Sequence, residues 1–311
     1  MTDNFDSQTF KIRDAASYDS LTEQFDGFTE QLLRPLARRM VELAGISAAE
    51  KILDIGTGTG IVALEAARMI DNSGKIYGID LSQEMLAKAT EKARRLKIEQ
   101  KIIFRSMDAE ALKFKNQTFD AAVSLFALLH FPDPLIALRE IFRVLRPGGR
   151  LVLAVGSGVP FFSRFGWLHI LKKIPDALQN LQGKLLVAPH FLDNFVNQHI
   201  PKTVEPDESH LASRYRSRAK SVKKLIEQAG FDILKTDWRG HCAVIETPEK
   251  FWDIQRTFSR VARKRLSTVS PDRLEFLHDL FLEECRAAQA RGARLIYPFG
   301  AFYVVAYRRK N

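Results

Sequence analysis

Residues 51–70 read KILDIGTGTGIVALEAARMI, and this stretch decides the fold. A short aliphatic run ends in Gly56, Gly58 and Gly60, glycines at alternate positions, and an alanine-rich helix follows at once. A strand that enters a glycine turn and leaves as a helix is the opening unit of an open α/β sheet. Glycine suits the turn because it adopts positive φ without penalty and lets a ligand approach bare main chain. The spacing G-T-G-T-G differs from G-x-G-x-x-G, which sets a pyrophosphate over a helix N-terminus. It also lacks the G-K-[ST] of a phosphate loop. The turn points to a ligand without a pyrophosphate.

Outward from this unit, strands and helices alternate. GKIYGID (74–80) reads as a strand, and SQEMLAKATEKARRL (82–96) as a helix with Ser82 at its N-cap. KIIFRSMDA (101–109) and FDAAVSLFALL (119–129) read as strands, and DPLIALREIFRVL (133–145) as a helix. PGG (147–149) turns the chain into the strand RLVLAVG (150–156). Such alternation predicts a doubly wound, mostly parallel α/β sheet with helices on both faces. Before it, residues 18–45 read as helices, with Leu32, Leu33, Leu36, Met40 and Leu43 at helical spacing and Gly45 as the stop. After it, residues 156–217 are irregular and aromatic. A helix (219–230) and a strand (231–246) resume the pattern, residues 248–292 are helical, and RLIYPFGAFYVVAYRR (294–309) closes the chain as a strand pair or a long bent strand. The expected organisation is a helical lead-in or cap over 1–45, a ligand-binding core over 46–155, a cap insertion over 156–217, and the rest of the core sheet over 218–311, interrupted by a helical insertion at 247–293.

The 311 residues are 46% hydrophobic and 27% charged, an ordinary globular balance. The polar first residues lack a secretory signal, and no apolar run is long enough to span a bilayer. Cys242 and Cys285 are isolated, so neither a CxxC metal pair nor a disulfide framework is expected, and a cytoplasmic setting is the default. Residues 1–155 hold equal numbers of acids and bases, so the net charge of +10 comes wholly from the second half.

Acidic residues stand at the ends of successive strands. Asp54 closes the first, just before the glycines. Asp80 closes the second, where a carboxylate can accept both hydroxyls of a ribose. Asp108 follows the third, placed to accept an exocyclic adenine amine, with Met85 and Met107 as apolar surface for the ring. Taken singly, each has a plainer reading, as a turn, a helix cap or a solvated loop residue. Taken together they describe a nucleoside site with no cation for a phosphate.

The motifs ILDIGTGTG, IYGIDLSQEML, MDAEALKF, FDAAVSLFALLHFPDP and LRPGGRLVLAVG, in this order over about residues 46–155, resemble the class I S-adenosylmethionine-dependent methyltransferases, most closely the type 11, ubiquinone/menaquinone-methylase-like group. The resemblance implies a Rossmann-like, seven-stranded sheet with helical cap insertions and S-adenosylmethionine as cofactor, S-adenosylhomocysteine as product, without a metal. It implies that Gly56, Thr57, Gly58 and Gly60 wrap the methionine part, that Asp80 holds the ribose with Leu81 against the adenine, and that Asp108 and Ala109 meet the adenine edge. Ser124 would lie beside the methionine moiety, and Tyr18 would cover it.

His130, just past the fourth strand, is the candidate general base, because imidazole titrates near neutral pH. A packing histidine is the alternative. His169, His190, His199, His210 and His241 have a surface role and Tyr297 a packing role as their default, with a place in the lining of the acceptor pocket as the alternative for each. Residues 159–178 mix aromatics with Arg164, Lys172 and Lys173. They read as an apolar lid on an aromatic acceptor, as an interfacial helix making peripheral membrane contact, or as an amphipathic helix packed on the core. The cation-rich runs 214–224 and 256–265 would suit an anionic partner or RNA, although a solvated face is the plainer reading. SLFA (124–127) stands where enzymes that methylate a flipped base amine carry an NPPY-like tetrapeptide, which disfavours nucleic acid. The expected activity is methyl transfer to oxygen or carbon of a small apolar or aromatic acceptor. RNA methylation and a noncatalytic cofactor-binding role in assembly are the alternatives.

Overall fold

The structure, a computed structural model, describes residues 6–156, 186–187, 191–201 and 218–310. The lid-like segment 159–178, His169, His190, His210 and the first residues of the 214–224 run lie outside them. In chain order the elements are α1 (Ser7–Asp19), α2 (Thr22–Phe28), a π-helical turn (Thr29–Leu33), α3 (Arg34–Ala44), β1 (Lys51–Ile55), α4 (Ile61–Ala66), β2 (Lys75–Asp80), α5 (Gln83–Arg95), β3 (Ile102–Ser106) and β4 (Phe119–Leu125). A 3-10 turn (Leu128–His130) leads to α6 (Pro134–Val144) and β5 (Leu145–Gly156). The remainder comprises β6 (Leu186–Val187), α7 (Phe191–His199), α8 (Arg218–Gln228), β7 (Asp232–Ile245), α9 (Pro248–Phe258), α10 (Arg260–Leu266), α11 (Pro271–Ala290) and β8 (Arg294–Tyr307). Among the described residues, no helix is long and apolar enough to cross a membrane.

The chain divides into two compact units. One holds Met1–Ser157, Glu205–Arg239 and Ala301–Asn311; the other holds Gly158–Val204 and Gly240–Gly300. The first contains the sheet, ordered β3-β2-β1-β4-β5-β8, with β7 also beside β8. The pairs β3–β2, β2–β1, β1–β4 and β4–β5 are parallel, and β8 returns antiparallel to β5. This is the expected α/β class. Ile52, Leu53 and Ile55 on β1, and Ala121, Ala122 and Val123 on β4, are wholly buried. Central strands covered on both faces read as unbroken apolar runs, which is why the sequence shows no alternation there. The strand order reverses between β1 and β4, and a crevice beyond the carboxyl ends of strands at such a point is where open α/β sheets bind ligands.

The expected strand 119–129 stops at Leu125 and the chain then makes the 3-10 turn, and two further boundaries differ for a physical reason. The lead-in helix α1 begins at Ser7 rather than near residue 18, because the Asp6 side chain accepts from the main chain of Gln8 (3.0 Å) and Thr9 (3.2 Å) and caps it. The PGG segment lies within β5 rather than before it. Leu145 pairs with Phe119, the register slips by a bulge, and Arg150 pairs with Ala121. Gly148, at φ 81°, absorbs the extra chain.

The second unit is mainly helical. The Phe281 ring of α11 meets Phe191 and Phe195 of α7 and Phe251 and Trp252 of α9, with centroids 5.1–6.2 Å apart. The Leu192 main chain donates to Gln255 Oε1 at 2.9 Å. β6 pairs with the start of β8. Tyr297 meets Phe258 and Phe299 at tilted angles in a cluster of three rings, and burial pushes its phenol well above the usual range. This environment is that of a packing tyrosine.

Candidate active site at the strand ends

The glycine turn is held from both sides. Gly56, Gly58 and Gly60 take φ of 66°, 53° and 85°, values that L-residues avoid. The Thr57 main chain donates to Ile79 O on β2 at 2.9 Å, and Gly60 donates to Thr57 O at 2.8 Å, closing the turn. A side chain at Gly56 would run into Ala127, its Cβ only 2.2 Å from the Ala127 methyl. A side chain at Gly58 would meet only the Phe25 ring, at 3.7 Å. The first glycine therefore packs against the loop after β4, and the second leaves its main chain half-buried with room beside it. Phe126, on that loop, also has a left-handed φ of 65°, pinned by its N–H donating to Ala154 O at 2.9 Å.

Asp54 supports the turn from beneath. It is buried, and its Oδ2 accepts from Thr57 Oγ1 (2.7 Å) and the Ala63 main chain (3.0 Å). Burial pushes its carboxyl up to about 7; those two hydrogen bonds oppose the shift and the nearby Asp80 charge adds to it. The native state therefore keeps a proton that the unfolded chain releases above about pH 4. Between about pH 4 and 7 this group lowers stability as pH rises. Urea unfolding at pH 5 and pH 8 is expected to show a larger loss of stability for the wild type than for Asp54→Asn. Equal losses would exclude the effect.

Asp80 ends β2. Its Oδ2 accepts from the Gly58 main chain at 2.9 Å and its Oδ1 from Ser82 at 3.1 Å, which ties the glycine turn to the start of α5. Burial raises this carboxyl too, against those hydrogen bonds and the nearby His130. Among the described residues neither Asp54 nor Asp80 has a cationic partner. Ser124 is buried at the end of β4 and donates to Ile55 O at 3.0 Å, joining β4 to β1 at the switch point. Leu81 is exposed, and Met85 and Ala109 are buried. Met107 is half-buried, and its Sδ accepts from the Lys113 main chain at 3.4 Å.

The helix α1 lies against three of these strand ends. Asp19 accepts from Ser82 Oγ, after β2, at 2.7 Å. Lys11 Nζ bridges Asp108 Oδ2 (2.7 Å) and Glu110 Oε2 (2.6 Å), after β3. Burial works against the Lys11 ammonium, but hydrogen bonds to both carboxylates outweigh it and hold its pKa above the usual value. The carboxylate read as the adenine acceptor thus already holds a lysine. After β4, His130 Nδ1 lies 2.7 Å from Asp14 Oδ2, and its Nε2 lies 3.4 Å from the Tyr18 hydroxyl. Tyr18 and His130, read separately in the sequence, are in contact. Lys11 and Asp14 were missed. The signal was present, since Lys11, Asp14 and Tyr18 are spaced three and four apart and share one helix face. Starting the helix at residue 18 concealed it.

These residues fit S-adenosylmethionine. Gly58 is half-buried with space beside its main chain, and the half-buried Asp80 carboxyl stands next to it with no Lys or Arg partner among the described residues, an arrangement suited to a cationic nucleoside and unsuited to a pyrophosphate. Among the described residues, no group of three or more His, Cys, Asp or Glu side chains is arranged to hold a metal ion.

A methyltransferase domain model matches residues 53–153. The ubiquinone/menaquinone biosynthesis C-methyltransferase UbiE of Cronobacter sakazakii is 34% identical over 70% of this chain and 79% of that protein. A 27-O-demethylrifamycin SV methyltransferase of Amycolatopsis mediterranei is 29% identical over 60% of this chain and 65% of that enzyme. Several other curated relatives are matched over about half their length. Among solved structures, a putative methyltransferase from Bacillus halodurans aligns at TM-score 0.53 and 17% identity, covering 88% of this chain and 98% of that one, and shares the fold. With the glycine turn and the acids in place at successive strand ends, this identity over most of a curated relative's length shows that the chain belongs to the class I S-adenosylmethionine-dependent methyltransferases, in the ubiquinone/menaquinone methyltransferase-like group.

Proposed function

We propose that this enzyme methylates oxygen or carbon of a small, apolar or aromatic acceptor in the cytoplasm, with His130 as general base. The observation that carries the reading is His130 itself, a half-buried imidazole beyond β4, held at Nδ1 by a buried carboxylate. The relatives named above are a ubiquinone/menaquinone biosynthesis C-methyltransferase and a 27-O-demethylrifamycin SV methyltransferase, names that support a small organic acceptor methylated at carbon or oxygen.

When bound, S-adenosylmethionine supplies a methyl on a positive sulfur, whose leaving group is neutral. The chain's own part is positioning and proton transfer. Gly56, Thr57, Gly58 and Gly60 form the main-chain wall of the methionine end, with Asp54 bracing them and Ser124 beside them. Asp80 accepts the ribose hydroxyls while keeping the turn closed through Gly58. Leu81, Met85, Met107 and Ala109 form the adenine surface. For the adenine amine to reach Asp108, Lys11 must share that carboxylate or keep only Glu110. Tyr18 borders both the methionine end and the base. Alignment of the reacting groups can contribute roughly 7–11 kcal/mol, and a positioned base a further 10²–10⁴-fold in rate.

The test is turnover of labelled methyl in host extracts. Label is expected in an organic-soluble fraction; label in RNA would reject the acceptor class. His130→Gln is expected to lower turnover by about 10²-fold or more, while affinity for S-adenosylhomocysteine, measured by calorimetry, stays near the wild-type value. Unchanged turnover would remove His130 from the chemistry.

A further inference from the structure

We propose that Asp14 is the positioning residue for His130: its carboxylate takes the Nδ1–H hydrogen bond, and so makes Nε2 the nitrogen that receives the acceptor's proton. The inference rests on the reading of His130 as the base and adds a second residue to it, from a helix that sequence patterning did not connect with the chemistry.

The geometry is specific. Asp14 is 4% exposed, while His130 keeps a third of its side-chain surface. The orienting group is therefore shielded from water and the oriented one is reachable. The Nδ1–Oδ2 distance of 2.7 Å is that of a charge-assisted hydrogen bond. A carboxylate only accepts, so the shared proton must sit on Nδ1. A neutral imidazole has one N–H, which leaves Nε2 as a lone-pair acceptor. Without a partner, nothing in the ring would fix this choice. Nε2 points to the Tyr18 side, where the phenol lies 3.4 Å away and the two rings meet edge-on at 5.7 Å. Asp14 and Tyr18 are four residues apart on α1, one turn of one face, so one helix sets the carboxylate at Nδ1 and the phenol at long range from Nε2, where the acceptor hydroxyl takes the phenol's place. Among the described residues, the charged and titratable groups found around the imidazole are Asp14 and Tyr18 from α1 and, further off, Asp80 at the end of β2.

The balance of the step explains why a carboxylate is wanted. The acceptor's O–H bond breaks and its proton goes to Nε2. The electron pair stays on oxygen and forms the new bond to the methyl carbon, while the pair of the broken carbon–sulfur bond remains on sulfur. The positive charge lost from sulfur appears on the imidazole, beside Asp14. A neutral residue at position 14 would leave that charge without its partner and the tautomer unset.

The test uses the full chain without cofactor or acceptor, labelled with 15N in its histidine rings. His130→Gln assigns the signal. At alkaline pH the wild-type His130 is expected as the Nδ1–H tautomer. Asp14→Leu, which cannot accept, and Asp14→Asn, whose amide can donate to Nδ1, are both expected to shift it toward Nε2–H. Two variants guard against one that fails to fold, and thermal melts report folding. In labelled-methyl turnover with host extract, both variants are expected to lose about 10²-fold, and Asp14→Glu to recover part of the loss with the native tautomer. A wild-type His130 in the Nε2–H form, or a tautomer unmoved in both folded variants, would overturn the proposal. Because the tautomer is read without turnover, failure of His130→Gln to slow the reaction would count against the base assignment alone.

Discussion

Asp80→Ala is expected to weaken S-adenosylmethionine binding by roughly 10- to 150-fold, the equivalent of about 1.5–3 kcal/mol for hydrogen bonds to a charged group. The carboxylate ends β2 and already accepts one main-chain N–H on each oxygen, from Gly58 and Ser82. Each oxygen keeps a further lone pair for a ribose hydroxyl. Alanine removes the ribose acceptors and the strut that closes the glycine turn at once, so the loss should exceed that of Asp80→Asn, which keeps one acceptor oxygen. Calorimetry with S-adenosylhomocysteine reads both. Wild-type affinity in Asp80→Ala would reject the ribose role and, with it, the orientation proposed for the whole cofactor.

Gly56→Val should cost about 2–5 kcal/mol of stability. Part of this is the penalty for a side chain at left-handed φ, roughly 1–2 kcal/mol. The rest is overpacking, about 1–3 kcal/mol, because the new Cβ would sit 2.2 Å from the Ala127 methyl. Ala127 cannot yield easily, since the preceding Phe126 is itself pinned at positive φ against β5. Domains of ordinary stability have only about 5–15 kcal/mol to lose, so a marked fall in melting temperature or loss of soluble protein is expected. Gly58→Ala is the contrasting case. Its Cβ meets only the edge of Phe25 at 3.7 Å, so it carries the backbone penalty alone, yet it places a methyl where the cofactor's methionine end is proposed to lie and should impair binding in a protein that remains folded. Similar melting curves for Gly56→Val and wild type would show that the turn is not packed as described.

Much of the site was legible because its parts are local. Gly56, Gly58 and Gly60 declare their positive φ by being glycine, and Asp54 and Asp80 declare their place by ending aliphatic runs. The expected helix–strand boundaries failed where a local signal had two readings. PGG looks like a turn, and only its pairing with β4 shows it to be a bulge inside β5. Asp54 looked like part of the ligand surface; its burial under the turn shows a brace. Asp108 was read from its strand end alone, and the lysine that reaches it comes from 97 residues away.

The sequence by itself determined the parallel α/β sheet, the glycine turn and the row of acids, because hydrophobic period, glycine conformation and strand ends are properties of neighbouring residues. Only the tertiary structure decided what stands over them. Lys11 at Asp108, Tyr18 at His130 and Asp14 at His130 are contacts across 97, 112 and 116 residues. They depend on where and at what angle α1 docks on the strand ends. That angle is set by the packing of many side chains at once, and no short stretch of the chain records it.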